Sequence, residues 1–424
     1  MGKSKLKTDV KEVLVIGGGI VGLSSAYFLH KQGCKVTVVD KSAMNSGASF
    51  VNAGYLTPSH IIPLAAPGMI SMGLRMMFNA ASPFYMKPRW DIDFFKWARY
   101  FHRSSTEQKV AKAIPVIKDI NILSQRLYHE IRDSGDLGDF QLEQKGLLML
   151  YQKEASFEHE MEVARKAAFL GLEVTNLDRA ALAALEPDIE INAKGAIHYK
   201  CDGHTTPGEI MPKLIAYLKR VGVSIRTNEE VEHFGFSNKK ITSVRTNKGV
   251  FAPEAVVLAA GSWSGLLAKQ LRLKLPLQAG KGYRINVKRP TGIRFPAILM
   301  EAKMAVTPMA GFTRFAGTME FSGINTKIRK ERVMALAKGA NRFYPQLQVL
   351  PEEREDAQTG MRPVSPDGLP YIGKTGTYDN LVIATGHAMM GWSLGPATGK
   401  IIAQLVTDTP PEMDITAFHP DRRF

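Results

Sequence analysis

Two cysteines, Cys34 and Cys201, stand in a chain of 424 residues. So sparse a set argues against a disulfide framework or a cysteine-based metal site and fits a reducing compartment. No apolar stretch is long enough to cross a bilayer uninterrupted. No internal repeat or low-complexity tract is present. Acidic residues are in deficit, 40 against 55 Lys and Arg, for a formal net charge of +15. The basic residues are scattered and no nucleic-acid module is visible, so nucleic acid is not an expected partner. A solvated basic surface is the simplest reading of the excess, and contact with an anionic membrane face is the functional alternative. The basic start Met1–Lys11 and the apolar run Val13–Leu23 imitate a secretory leader. No small-residue cleavage site follows, and the apolar run has another explanation. The expected location is cytoplasmic, with a peripheral position on the inner membrane face as the alternative.

That other explanation lies in residues 13–40. Val13–Ile16 suits a buried parallel strand, Leu23–Gln32 has helical character with Gly33 as its stop, and Val36–Val39 reads as a second strand ended by Asp40. Between strand and helix, Gly17, Gly19 and Gly22 supply a G-x-G-x-x-G turn. Gly17 permits the tight turn, Gly19 lets a pyrophosphate approach the backbone, and Gly22 lets helix and strand pack closely. The helix N-terminus offers free N–H groups and a positive dipole end to phosphates. Asp40 is placed to accept from both ribose hydroxyls. The glycine triplet alone is a weak signal; strand, triplet, helix, strand and terminal acid in sequence form a dinucleotide-binding fingerprint.

The length predicts two domains. Residues 64–133 read as mainly helical, with an apolar cluster from Met69 to Phe78 and the aromatics Phe84, Trp90, Phe94, Phe95 and Trp97 interleaved with Lys87, Arg89, Lys96, Arg99 and Arg103. A helical cap is one reading, a monotopic membrane contact the other. Phe140–Tyr151 reads as strand, Ala155–Leu170, Asp178–Leu185 and Thr206–Val221 as helices, and Ser224–Thr227, Ile241–Thr246 and Ala255–Ala260 as strands. Residues 276–325 alternate strands with Gly/Pro turns, as in an antiparallel sheet. A helix over Arg329–Arg342, a loop over Gly360–Gly373, a strand over Leu381–Thr385, a turn over Gly386–Gly391 and a helix over Trp392–Val406 complete the chain. Nucleotide-domain pieces thus recur at the start, middle and end.

Six segments give this order a family likeness: Gly17–Gly22, Ser49–Gly54, Ala259–Trp263, Gly280–Tyr283, Gly360–Pro370 and Gly386–Trp392. The chain resembles the D-amino acid oxidase superfamily of FAD-dependent oxidoreductases over nearly its whole length, and most of all its bacterial D-amino acid dehydrogenase branch. The resemblance implies an α/β fold. A Rossmann-like FAD-binding domain would be built from the discontinuous segments 9–62, 152–262 and 352–424. An α+β substrate domain with an antiparallel sheet would take 63–151 and 263–351. It also implies FAD rather than NAD, and oxidation of an amine carbon to an imine that water hydrolyses. Hydride would leave the α-carbon for flavin N5, and electrons would pass to a quinone or another acceptor. No cysteine matches the covalent flavin link of sarcosine oxidases, so the FAD is expected to be non-covalent.

By the same resemblance, Arg362 in Gly360-Met-Arg-Pro binds the substrate carboxylate, a role that suits the two parallel donors of a guanidinium. Tyr283 is a second candidate donor, or else a core tyrosine. His387 matches a position beside the flavin, or else is a hydrogen-bonded structural histidine; it is not assigned as a base. The implied cofactor contacts are Gly17, Gly18, Gly19, Ile20, Val21 and Gly22; Asp40 and Lys41; Ala48, Ser49, Asn52, Ala53 and Gly54; Val231; Ala260, Gly261 and Trp263; Gly360; and His387, Met389, Met390, Gly391, Trp392, Ser393 and Leu394. Backbone donors of the last turn are expected to stabilise negative charge on the flavin. The stretch Lys303–Pro308 lacks the aromatic that several relatives place before the proline. D-proline or D-hydroxyproline dehydrogenation, an oxygen-using glycine or sarcosine type of amine oxidase, and a non-catalytic flavoprotein remain open beside the leading reading.

Overall fold

The computed structural model describes residues 10–68, 82, 84–87 and 90–424. The cluster expected to cap the fold or touch a membrane, Met69–Phe78, lies outside them. The order of strands in the first sheet is Ser224–Arg226, Lys35–Val39, Glu12–Ile16, Ala255–Leu258, Leu381–Thr385 and Tyr371–Lys374. All pair in parallel except the last. Glu12–Ile16 has its sequence neighbour Lys35–Val39 on one side and the distant Ala255–Leu258 on the other. The chain direction of winding reverses there, and such a switch point opens a crevice at the carboxyl ends of the strands. Val13–Ile16 is buried throughout, as a strand covered on both faces must be.

Helix Ile20–Lys31 packs against helix Gly395–Val406 at close range. A Cβ at Gly399 would strike the Ser24 backbone, and one at Gly395 would strike Ile20. The final helix therefore starts at Gly395, with Pro396 in its first turn, and not at Trp392 as the sequence suggested. Residues before it form the turn at the cavity wall.

The second sheet has nine strands. Its main path runs Gln358–Val364, Gln278–Val287, Phe312–Phe321, Met304–Met309, Ala297–Leu299, Leu147–Tyr151, Gly195–Tyr199 and Val174–Asp178, and Phe84–Met86 joins Phe312–Phe321. Helix Lys330–Phe343 covers one apolar face with Val333, Leu336, Ala337 and Ala340. Three features depart from the sequence reading. Gly360–Gly373, expected as a loop, overlaps strand Gln358–Val364 at its start and strand Tyr371–Lys374 at its end. Pro363 is tolerated because its strand is the sheet edge, where a missing N–H donor costs little. Val174–Asp178 and Gly195–Tyr199 pair into this sheet although they lie in the 152–262 segment assigned to nucleotide binding. Phe84–Met86 is a strand within a stretch read as helical.

Candidate functional site

The fingerprint turn and the edge strand carrying Arg362 face a common cavity of about 1250 Å³. At one end, Gly17 takes φ +114°, and a Cβ there would meet the Ala259 carbonyl. The Gly18 N–H donates to Asp40 Oδ2 at 2.7 Å, while Asp40 Oδ1 accepts from the Ser42 N–H and hydroxyl. Asp40 thus shapes the turn besides lining the cavity. Ser49 Oγ accepts from the Ile20 N–H at 2.9 Å and caps the helix N-terminus. Lys41 lies over the Trp263 ring, 4.1 Å from its centroid, a cation–π contact on the cavity wall.

The loop that follows is held from behind. The buried Arg314 donates to the carbonyls of Phe50 and Asn52 at 2.8 and 2.6 Å, and to Asn286 Oδ1 at 3.0 Å. Burial pushes its guanidinium down to about 9. Sequence reading missed this brace, because nothing local to Arg314 announces carbonyls more than 260 residues away.

Of the residues expected at the cofactor, Gly17, Gly18, Gly19, Ile20, Val21, Asp40, Lys41, Ala48, Ser49, Asn52, Ala53, Val231, Ala260, Gly261, Trp263, Gly360, His387, Met389, Met390, Gly391, Trp392 and Ser393 line the cavity. Gly22, Gly54 and Leu394 do not. Gly22 faces the Gly17 carbonyl and Gly54 the Thr205 carbonyl, each too close for a Cβ, and Leu394 is fully buried just before the last helix. The two glycines allow close backbone packing behind the wall, and Leu394 fills the core there.

At the other end stands Arg362. Its guanidinium donates to the Thr318 carbonyl at 2.8 Å and lies against Met319 Sδ. No carboxylate pairs with it among the described residues. Burial brings it down to about 10, so it remains a cation at neutral pH. Gly282 explains how it fits: a Cβ there would collide with the guanidinium tip. The strand bearing Arg362 is also tethered, since Trp97 Nε1 donates to the Val364 carbonyl at 2.9 Å.

Tyr283 lines the cavity, but its hydroxyl does not point a free donor into it. It donates to Glu320 Oε2 at 2.7 Å. Glu320 is buried and is also paired with Lys281 Nζ at 3.1 Å, with Arg329 and Arg332 slightly farther off. That buried carboxylate accepts the Tyr283 hydroxyl's one hydrogen bond, so the expected second donor to a substrate is already engaged. His387 is buried, its Nε2 2.9 Å from Thr398 Oγ1, and desolvation pushes it down to about 3. It is neutral and hydrogen-bonded while lining the cavity.

The N–H groups of Met389, Gly391 and Trp392 have no acceptor among the described residues, although these residues line the cavity. At Gly360, a Cβ would run into Ala48 and Val51, so only glycine keeps this stretch of wall closed around the cavity. The glycine turn, the capped helix end and these spare donors fit a large anionic cofactor. A family model described as FAD dependent oxidoreductase matches residues 12–405.

The chain belongs to the FAD-dependent oxidoreductase family.

Its relatives agree. It is 33% identical over 402 residues to a D-amino acid dehydrogenase of Helicobacter pylori, covering 94% of this chain and 95% of the relative. It is 29% identical over 409 residues to a D-amino acid dehydrogenase of Granulibacter bethesdensis, with coverage of 95% and 97%. Glycine oxidase from Geobacillus kaustophilus shares the fold at a TM-score of 0.79 and 21% identity, covering 98% of this chain and all of that one, 100%. L-proline dehydrogenase from P. horikoshii does so at 0.74 and 20% identity, covering 97% of each. This oxidoreductase accordingly uses FAD. No helix among the described residues is long and apolar enough to cross a membrane.

Proposed function

We propose that the chain oxidises a D-amino acid to the imino acid, which water hydrolyses to a 2-oxo acid and ammonia, and passes the electrons to a quinone or similar acceptor. One observation carries the reading: Arg362 is a cation in the cavity wall with no acidic partner among the described residues. A desolvated cation left unpaired is costly, and a substrate carboxylate relieves that cost with a bidentate contact. Bound FAD would supply the two-electron acceptor for the oxidation. Gly17–Gly19, Ile20, Asp40, Lys41 and Ser49 would hold its dinucleotide half, and the spare N–H groups of Met389, Gly391 and Trp392 would face its isoalloxazine. Gly282 makes room for Arg362, and Trp97 fixes the strand that bears it. No cysteine is placed here as a covalent link. The preference for D-substrates and for a non-oxygen acceptor draws on the relatives named D-amino acid dehydrogenase.

The proposed organisation is a nucleotide domain on the mainly parallel sheet and a substrate domain on the nine-stranded sheet. A peripheral membrane position is part of the proposal. Ile92 and Phe95 on helix Ile92–Ser104 are 74% and 52% exposed, Trp90 just before it is 98% exposed, and Lys96, Arg99 and Arg103 are exposed on the helix. Such a surface joins apolar insertion to attraction for anionic lipid.

Anaerobic bleaching of the flavin by D-amino acids, glycine, sarcosine and D-hydroxyproline tests the substrate class. A D-amino acid is expected to bleach it and the L-enantiomer is not; bleaching by none of the D-amino acids overturns the proposal. Reoxidation is expected to be far faster with a soluble quinone analogue than with oxygen. Binding to anionic vesicles is expected at low salt and to weaken at high salt. Rapid peroxide formation without vesicle binding would favour an oxygen-using amine oxidase.

A further inference from the structure

Three residues behind the cavity wall form a chain of hydrogen bonds that the reading above leaves unused. Asp202 is fully buried. The Ser59 N–H donates to its Oδ1 at 3.0 Å, and the Ser59 hydroxyl donates to its Oδ2. Ser59 Oγ in turn lies 3.2 Å from Nδ1 of His60. His60 lines the same cavity as Arg362.

The direction of these bonds follows from counting protons. A serine hydroxyl has one proton to give. Given to the Asp202 carboxylate, it leaves Ser59 Oγ as an acceptor, so His60 must hold its proton on Nδ1. Nε2 then carries a lone pair, and it has no protein partner among the described residues. The tautomer is assigned from the hydrogen-bond network in this way. One cavity therefore offers a cation without an anion and an imidazole acceptor without a donor. An α-amino acid zwitterion carries a group suited to each: a carboxylate for the guanidinium and an ammonium for the imidazole.

We propose that His60 Nε2 takes the ammonium proton of the bound amino acid and that Ser59 relays a proton from His60 to Asp202. The inference rests on the amino-acid reading above. In the relay, an ammonium N–H bond breaks as Nε2–H forms. The Nδ1–H bond breaks as a new Ser59 O–H forms, and the original hydroxyl proton moves to Asp202 Oδ2. The substrate loses one positive charge and Asp202 loses its negative charge. His60 ends neutral in the other tautomer, and no electrons move. Loss of the proton leaves the nitrogen lone pair free to form the imine, which is the order that amine oxidation needs.

The surroundings suit the two ends to these tasks. Desolvation holds His60 down to about 4, with no charged group acting on it, so the ring passes a proton on and does not store it. Burial pushes the Asp202 carboxyl up to about 7, which lets it hold one. The other titratable groups facing Asp202 are the Cys201 thiol, 3.4 Å from Oδ1, and the phenols of Tyr55 and Tyr199. Burial raises all three above their ordinary values, so they stay protonated while Asp202 titrates. Below the Asp202 transition the acceptor is already filled and the relay is closed; above it the relay is open.

The test uses the FAD-loaded enzyme and its Ser59→Ala, His60→Gln and Asp202→Asn variants. Two quantities are read: binding of a simple aliphatic carboxylate by its perturbation of the flavin spectrum, and the pH profile of anaerobic flavin reduction by the D-amino acid that bleaches it fastest. Ser59→Ala and His60→Gln are expected to bind the carboxylate as the wild type does. Their reduction rate near neutral pH is expected to fall on the order of 100-fold. It should recover as pH rises, because the acid limb moves up toward the ionisation of the substrate's own ammonium. Asp202→Asn is expected to behave likewise, and Ser59→Ala keeps the idea testable where that buried variant fails to fold. An acid limb unchanged in both Ser59→Ala and His60→Gln overturns the relay, as does an equal rate loss at every pH. Failure of the wild type to bind the carboxylate overturns the amino-acid reading itself, and the relay with it.

Discussion

Replacing Gly282 by alanine isolates the role of Arg362 without touching it. Gly282 lies in the middle of strand Gln278–Val287, paired with Gly360 on one side, and its backbone has no left-handed φ. Alanine is therefore conformationally acceptable, and the loss of chain freedom in the unfolded state stabilises by about 0.4–1 kcal/mol. The new methyl group meets only the tip of the Arg362 side chain among its nearest atoms. That tip must swing away, breaking its 2.8 Å bond to the Thr318 carbonyl, a charge-assisted bond that contributes about 1.5–3 kcal/mol. The gain offsets part of the loss, leaving a net cost of about 1–2 kcal/mol, so the melting temperature should fall by only a few degrees. Binding of a carboxylate should suffer much more. A hydrogen bond to a charged group contributes about 1.5–3 kcal/mol, and each 1.4 kcal/mol is about tenfold in affinity. The apparent Kd for substrate, from the concentration dependence of anaerobic flavin reduction, should rise by roughly 10- to 100-fold with FAD content unchanged. An unchanged Kd would refute the placement of the carboxylate at Arg362. A collapsed melting temperature would refute the claim that only a flexible side chain is displaced.

Arg362→Lys keeps the charge but loses the planar fork, and is expected to weaken substrate binding by roughly tenfold or more while FAD stays bound; stopped-flow titration and the flavin spectrum check both. Gly22→Ala drives a Cβ into the Gly17 carbonyl and should destabilise the protein by about 1–3 kcal/mol, with loss of FAD, measured by thermal melting and cofactor content. His387 is held down to about 3 in the fold from an ordinary 6.5, so the unfolded chain binds the extra proton as pH falls below about 6.5. Its contribution to stability is complete above that pH and shrinks by about 1.4 kcal/mol per unit down to about 3. His387→Gln should flatten the fall of stability between pH 6 and pH 4, roughly, in denaturant titrations, and an unaltered slope would contradict the assignment.

Much of the fold was legible because its signals are local. Strand, glycine turn, helix and terminal acid follow one another within residues 13–40, and each is a matter of neighbouring residues and their backbone preferences. The same holds for the motif around Arg362, whose sequence context named it before any contact was known. The strand over Gln358–Val364 was not legible, because Pro363 reads as a breaker until its place on a sheet edge is known. Edge or centre is a property of the whole sheet. Tyr283 shows the same limit: its residue type permits a substrate donor, but Glu320, 37 residues away on the paired strand, accepts its hydrogen bond. Gly282 and Arg314 act on side chain and carbonyls 80 and more than 260 residues away, which no local pattern encodes. The acceptor face of His60 depends on Asp202, 143 residues beyond Ser59 in the chain. The sequence by itself determined the family and the cofactor, and singled out the arginine proposed to bind a carboxylate. The tertiary structure alone decided which polar groups remain free to meet a substrate, because hydrogen-bond capacity is consumed by whichever partners packing brings within 3 Å, roughly.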